Sequence, residues 1–491
     1  MSFKQFVLNT SAISSVGVLR LLAQFLAVPI LSRLLSPADY GVVGMAMPFV
    51  LFAMVVADAG IGVSLVRHPA GDHLAWSSCF WVSVLLGIAS AMGMVGIAFV
   101  AARSLGEPRI APIVSALAFC VFAQAVLSIP VALLQKRERF KTVAATEIIS
   151  AIAGVAAAVA VALTGGGAWA LVAQLAAFHA VRLSLVFGVA QFRPSLAVDW
   201  SRAKEHVIFG RDVLGSKLVG FFTRSLDSLV IGKVLGATSA GFYGMAFQFL
   251  RLPLMIITGP LQYFLFAQLV EIRRDKETMR GTFLLFTRTL AVAIFPTMGL
   301  VAAAHGPVFD LLLSPNWRVS GELFFIVAPV GALQSVNSLG GTFVTAAGRM
   351  DIRLKTTAEF GVLWLAALLA SASFGVVAVA MAYVLVALAY LPRSLSLTLS
   401  VIGCSAREYL SALITPAIAT AGGVVLFESL IHLLMPGELA SLFLAATLAI
   451  LAVAFGGIVQ RPHLVRGIKQ VFGAIRRYDA DTAPQETEAV V

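Results

Sequence analysis

The chain has 491 residues, 59% of them hydrophobic and 12% charged, with a net charge of +11 and a mean hydropathy of +0.95. Soluble domains carry about 45–50% apolar and about 25% charged residues, so a secreted disulfide scaffold, a disordered chain and a cytosolic enzyme are all excluded. The excess positive charge reads as Lys and Arg kept on the cytoplasmic face of a membrane, not as a nucleic-acid surface.

A membrane-spanning helix needs roughly 20 apolar residues. The hydropathy pattern predicts an all-α polytopic membrane protein with about 14 transmembrane helices, near 8–32, 41–61, 76–102, 110–134, 143–163, 168–190, 212–235, 241–268, 281–304, 322–347, 355–372, 374–392, 409–434 and 439–460. The apolar run after Lys4 continues to about Pro29 without a small-residue cleavage pattern, so it reads as the first span and not as a signal peptide. The stretch 355–392 divides at Ser371-Ala372-Ser373, before Gly375, because one helix there would overrun a hydrocarbon core about 30 Å thick. Cys79 and Cys120 fall inside spans and Cys404 near a basic loop, which is no disulfide framework.

Alternate connections carry the basic residues: 135–141, 193–211, 271–276 and 349–355. Of the 35 Lys and Arg, 24 fall on that side, 5 on the other and 6 within spans, which places both termini in the cytoplasm. The tail from Asp479 to Val491 is polar and acidic. External loops are short, the longest running from about His305 to Gly321. They leave no room for the external catalytic groups that a membrane glycosyltransferase or polysaccharide polymerase uses.

The sequence repeats. Shifted by 200 positions, Leu35, Gly41, Gly44, Met45, Ala46 and Phe49 lie over Leu235, Gly241, Gly244, Met245, Ala246 and Phe249. At a shift of 212, Arg137, Lys141 and Glu147 meet Arg349, Arg353 and Glu359. Six spans separate matching positions, an even number, so the halves share one polarity. That predicts a parallel repeat about an axis along the membrane normal.

Four stretches carry a family resemblance: Leu31-Ser32-Arg33-Leu34-Leu35-Ser36-Pro37-Ala38-Asp39-Tyr40-Gly41 with Asp58-Ala59-Gly60-Ile61-Gly62; Leu133-Leu134-Gln135-Lys136-Arg137 with Arg139-Phe140-Lys141; Gly165-Gly166-Gly167-Ala168-Trp169-Ala170-Leu171-Val172; and Asp227-Ser228-Leu229-Val230-Ile231-Gly232 with Gly241-Phe242-Tyr243. In their order and spacing the chain resembles a Wzx-type polysaccharide (oligosaccharidyl-lipid) flippase of the multidrug/oligosaccharidyl-lipid/polysaccharide exporter superfamily. Ser225 stands where the family pattern often has Asn. The resemblance implies two six-helix bundles, 1–200 and 201–400, facing each other across a cleft, with two additional transmembrane helices over 401–465 and a cytoplasmic tail over 466–491. The implied cargo is a polyprenyl-diphosphate-linked oligosaccharide, turned across a bacterial inner membrane for exopolysaccharide, capsule or O-antigen synthesis. A polysaccharide polymerase and export machinery are the implied partners beside the lipid bilayer.

A sugar diphosphate crossing hydrocarbon needs polar company, because each unsatisfied polar group there costs several kcal/mol. Arg answers phosphate with a planar fork of donors. The cations within spans are Arg20, Arg182, Lys217, Arg224, Arg251 and Arg288, and the acids are Asp58, Glu147, Asp227 and Glu359. Arg20, Lys217, Arg224, Arg251 and Arg182 are the substrate-binding candidates of a cationic cleft, and Asp227, Asp58, Glu147 and Glu359 the ion-coupling candidates. Plainer readings stand beside these. Arg288 snorkels; Arg182 snorkels or lines the cleft; Arg224 and Asp227 neutralise each other; Glu147 and Glu359 cap their helices; His179 packs or relays protons. No catalytic residue, metal-ligand spacing, nucleotide loop or cofactor motif is present.

Lipid-linked oligosaccharide flipping by alternating access is the leading functional reading. A cation-coupled multidrug exporter of the same architecture is the alternative, disfavoured because the spans hold more cations than acids. A membrane polymerase or ligase is a third, and a non-transporting scaffold for envelope assembly a fourth.

Overall fold

The computed structural model describes residues 27–66, 72–222, 226–273, 275–435 and 437–482. Among them every regular element is helical and no strand occurs. A helix over residues 27–34 (α1) leads into α2 (Pro37–Asp58), the short α3 (Ile61–Leu65), α4 (His73–Leu105), α5 (Ile110–Lys136), α6 (Phe140–Leu163), α7 (Trp169–Ala190), α8 (Trp200–Phe222) and α9 (Asp227–Leu250). Then come α10 (Gly259–Ile272), α11 (Lys276–Ala303), α12 (His305–Leu312), α13 (Arg318–Ala346), α14 (Met350–Ser371), α15 (Val376–Ile402), α16 (Ala406–Leu434) and α17 (Glu438–Thr482).

Local chemistry sets several of these boundaries. Ser36 caps α2: its hydroxyl accepts the Asp39 N–H at 3.2 Å, its own N–H reaches the Asp39 carboxylate at 3.0 Å, and Pro37 opens the helix. Ser405 and Glu408 form the same reciprocal cap on α16, at 3.2 and 2.9 Å. The predicted division of 355–392 is present, with α14 ending at Ser371, a 3-10 turn over Ala372–Phe374 and Gly375 at φ 100°.

Twelve helices among the described residues are long and apolar enough to cross a bilayer. The first predicted span falls largely on residues outside the described ones. Predicted spans 7 and 8 are not single helices. α9 is broken at Gly236 (φ 85°, ψ 169°), a conformation glycine adopts without a Cβ penalty. After Arg251 and Pro253 the chain passes through a π-helical turn, Leu254–Thr258, before α10, because Pro253 supplies no N–H to the helical ladder.

The chain forms two compact units, Met1–Ala246 with Leu312–Ser320 and Gly361–Val379, and Phe247–Leu311 with Gly321–Phe360 and Ala380–Val491. In the first, α4 lies against α5 and α6 against α7, and α5 also packs on α2 and α7. An apolar cluster in it joins Ile61, Leu65, Trp76, Phe80, Leu127 and Ile129. In the second, α11 packs on both α16 and α17, with Phe283 stacked on Tyr409 at 6.1 Å and edge-on to Phe343 at 5.2 Å.

The internal repeat recurs in backbone geometry. The turn closed by the Arg139 N–H on Leu134 O (2.9 Å) is matched by the Arg349 N–H on Val344 O (3.0 Å), with Glu138 (φ 56°) and Gly348 (φ 79°) in the same left-handed place. The next turn pairs Gly165 N–H with Ala162 O (3.0 Å) and Gly375 N–H with Ala372 O (3.4 Å). The register here is a shift of 210, so Arg139 and not Arg137 stands over Arg349, a correction of two residues. Clustered Lys and Arg on both loops allow either alignment of charges; the left-handed residue allows one.

Candidate functional site

Of the nine candidate site residues, the structure brings two into carboxylate-centred clusters with partners that sequence alone did not indicate. Asp227 opens α9, half-buried, and its carboxylate accepts the Tyr243 hydroxyl at 3.0 Å and the Trp364 indole N–H at 3.0 Å. Tyr243 comes from beyond the Gly236 break and Trp364 from α14. Tyr243 lies inside a stretch that carries the family resemblance; Trp364 has no signal in the sequence.

Glu359 is the second. It sits well inside α14, where the Tyr390 hydroxyl donates to it at 2.8 Å and Arg393 grips it through Nε at 3.3 Å and Nη2 at 3.2 Å. Glu147 likewise lies two turns into α6 and pairs with Arg182 of α7, whose guanidinium also lies over the Phe178 ring at 5.8 Å. Neither glutamate caps a helix, so the capping reading of both is corrected. The side chain of Arg182 is 11% exposed and points into an ion pair, so it does not snorkel. His179, one turn before Arg182, is buried, and its Nδ1 has no hydrogen-bond partner among the described residues.

Arg251 is exposed, in the turn between α9 and the π-helical segment. Asp58 ends α2, half-buried, just before the left-handed pair Ala59 (φ 40°) and Gly60 (φ 70°). Lys217 lies in α8. Arg20 and Arg224 lie outside the described residues. No group of three or more His, Cys, Asp or Glu that could hold a metal ion occurs among the described residues.

The resemblance-bearing stretches meet one another. The Asp39 carboxylate accepts the Ala168 N–H at 3.1 Å, bringing the Ser36–Gly41 turn against the Gly165–Trp169 turn. Tyr40 stands edge-on to Trp317 at 5.1 Å, and the Trp317 indole N–H reaches Ser32 O at 2.9 Å. Gly41 of α2 meets α9 at Ala237 and Gly241, and Gly241 meets α2 at Pro37 and Gly41. Deeper along α2, Pro48, Phe52, Met94, Ile97, Leu226 and Leu229 line a cavity of about 370 Å³ that is almost wholly apolar.

The sequence pattern of the polysaccharide biosynthesis protein family matches residues 30–322. The chain belongs to that family. Within it, the chain is 29% identical over 319 residues to the succinoglycan biosynthesis transport protein ExoT of Rhizobium meliloti (strain 1021), covering 65% of this chain and 64%, just under two thirds, of that protein. It is 24% identical over 413 residues to the lipopolysaccharide biosynthesis protein WzxC of Escherichia coli (strain K12), covering 83% of each. It is 22% identical over 382 residues to the teichuronic acid biosynthesis protein TuaB of Bacillus subtilis (strain 168), covering 77% of this chain and 79% of that one.

Among solved structures the fold resembles the lipid II flippase MurJ in an inward closed conformation, with a TM-score of 0.72 at 13% identity over 93% of this chain and 99% of that one. It also resembles a multidrug resistance MATE family transporter in an inward-facing conformation, with a TM-score of 0.60 at 13% identity over 79% and 94%. This polysaccharide biosynthesis family member is thus a multi-pass membrane protein with a MurJ/MATE-type fold.

Proposed function

We propose that this family member is a flippase that turns polyprenyl-diphosphate-linked oligosaccharide from the cytoplasmic to the outer leaflet of a bacterial inner membrane. The observation that carries this reading is one conjunction: a polysaccharide biosynthesis sequence, with a relative named as a succinoglycan transport protein, on a fold shared with a lipid II flippase. The protein moves its cargo and does no covalent chemistry on it; a polymerase and export machinery use the product.

The cargo's diphosphate is met by Arg20, Lys217, Arg224 and Arg251, and cation coupling runs through Asp227, with Asp58 and Glu359 as further acids; Arg182 and Glu147 hold each other instead. Asp227 is the best supported of these, because two side chains from different segments donate to it at hydrogen-bond distance. Alternating access needs helices that part at one end. The glycine crossing of α2 and α9 supports an outer closure at that place, since Pro37 and Ala237 follow the loops on the side poor in Lys and Arg. The multidrug exporter reading draws support from the MATE-like fold alone.

The test in cells is deletion. Loss of the gene stops polymer export and leaves the lipid-linked repeat unit at the cytoplasmic leaflet, and a plasmid copy restores export. Undiminished export in the deletion strain contradicts the reading.

A further inference from the structure

Two carboxylate–guanidinium pairs recur on the same helix pair of each repeat, Glu147–Arg182 across α6 and α7 and Glu359–Arg393 across α14 and α15. Allowing for the register of 210, each member lies within two residues of its counterpart's position. Yet the pairs differ. Arg182 and Glu147 are 11% and 18% exposed; Arg393 and Glu359 are 53% and 30% exposed. The first is a buried strut. The second is open on one side.

The open pair is also loosely held. Arg393 approaches Glu359 side-on at 3.2 and 3.3 Å, longer than is usual for a charge-assisted bond, and its other N–H donors have no partner among the described residues. Glu359 is not held by Arg393 alone: Tyr390 donates to it at 2.8 Å, so the carboxylate stays in place when the guanidinium leaves. Lys355, exposed, lies one turn before Glu359 on the same face of α14, which makes the local charge positive. Arg393 stands nine residues before the end of α15, on the side rich in Lys and Arg. A half-exposed guanidinium at that depth faces polar surroundings and not acyl chains.

We propose that Arg393, with Glu359 as its exchangeable counter-ion, is a capture site for a lipid-borne phosphate at the cytoplasmic leaflet. This rests on the flippase reading and deepens it: the phosphate is that of the cargo before it leaves the cytoplasmic leaflet. Glu359 occupies the fork of Arg393 while no cargo is present and competes with the diphosphate for it. Arg182, closed off by its own glutamate, keeps only the structural half of the same arrangement.

The experiment is binding of a fluorescent polyprenyl diphosphate, without sugar, to the full chain in nanodiscs of neutral lipid, with phosphatidylglycerol as competitor. Arg393→Gln weakens binding about tenfold or more, the loss of charge-assisted hydrogen bonds. Glu359→Gln tightens it about threefold, because a competing carboxylate is gone. The exchange Glu359→Arg with Arg393→Glu keeps an ion pair and the fold but binds as weakly as Arg393→Gln. Phosphatidylglycerol in excess does not displace the probe.

A charge-exchanged protein that binds like wild type, or a Glu359→Gln protein that binds no more tightly, makes the pair a helix strut and overturns the proposal. Displacement by phosphatidylglycerol makes it a general headgroup contact and overturns its link to cargo. A wild-type chain that binds no polyprenyl diphosphate removes the flippase reading and this proposal together, which the other outcomes do not.

Discussion

Gly41 and Gly241, 200 positions apart in the chain, face each other where α2 crosses α9. A Cβ on Gly41 would lie 1.7 Å from the Ala237 carbonyl oxygen, and one on Gly241 would lie 1.9 Å from the Pro37 carbonyl oxygen. The contact is reciprocal under the repeat, since Ala237 is to Gly41 as Pro37 is to Gly241. Backbones this close admit glycine alone, the small-residue packing that membrane helices use at tight crossings.

Gly41→Leu therefore forces the crossing apart without touching any charged residue. Gly44, one turn along α2, has nothing within 4 Å of a Cβ, so a cysteine fits there. In a background without the native cysteines, Gly44→Cys is labelled by an impermeant maleimide from outside about tenfold faster once Gly41→Leu is added, a shift of population toward an open outer end. Transport falls while protein abundance holds. Equal labelling with and without Gly41→Leu shows that this crossing does not close the outer end.

The buried Glu147–Arg182 pair predicts a different signature. Glu147→Gln or Arg182→Leu breaks this buried charge pair and costs about 3 kcal/mol, read as a lower thermal midpoint of the purified protein. Replacing both by Leu recovers most of that loss. Single variants as stable as wild type contradict the strut assignment.

Trp364 acts through Asp227. Trp364→Phe removes one of the two hydrogen bonds shown to the carboxylate and lowers transport about tenfold or more, a loss of about 1.5–3 kcal/mol for a bond to a charged group. Asp227→Asn abolishes transport, and adding Trp364→Phe to it changes nothing further, as expected for residues acting as one unit. Additive effects in the double variant separate Trp364 from Asp227.

Cys404, between α15 and α16, is a chemical reporter of that turn. Burial, with Glu408 beside it, pushes its thiol up from 9.0 to about 11. The thiol is the stable form below that value, so the thiolate fraction at neutral pH is far below that of an exposed cysteine, and alkylation rises about tenfold per pH unit until near pH 11. Rapid alkylation at pH 7.5 in the native protein contradicts this.

Spans were legible because hydrocarbon imposes a length and a composition on each one, and the break before Gly375 was legible because one helix there would be too long. The start of α2 at Pro37, four residues before the predicted span, was not, because Ser36, Pro37 and Asp39 set it and hydropathy does not. The region from α8 to α10 was not, because Gly236 and Pro253 break helices inside apolar sequence and hydropathy does not register a change of backbone path. Glu147 and Glu359 were read as caps because their partners, Arg182 and Arg393, lie on other helices. Arg393 escaped notice for a simpler reason: the apolar run ends at 392, whereas α15 continues to Ile402. Trp364 is one aromatic residue among many in apolar sequence, and only folding brings it to Asp227.

The central claim is tested most directly by reconstitution into liposomes with a fluorescent polyprenyl-diphosphate oligosaccharide, scoring its accessibility to a quencher outside. The flippase account predicts protein-dependent translocation that is lost in Arg20→Ala and Arg224→Ala at unchanged protein abundance. Arg→Lys at either position restores only part of it, since the charge survives and the fork does not. No translocation under any ion gradient, with a drug cation moved instead, would contradict the account and favour the exporter.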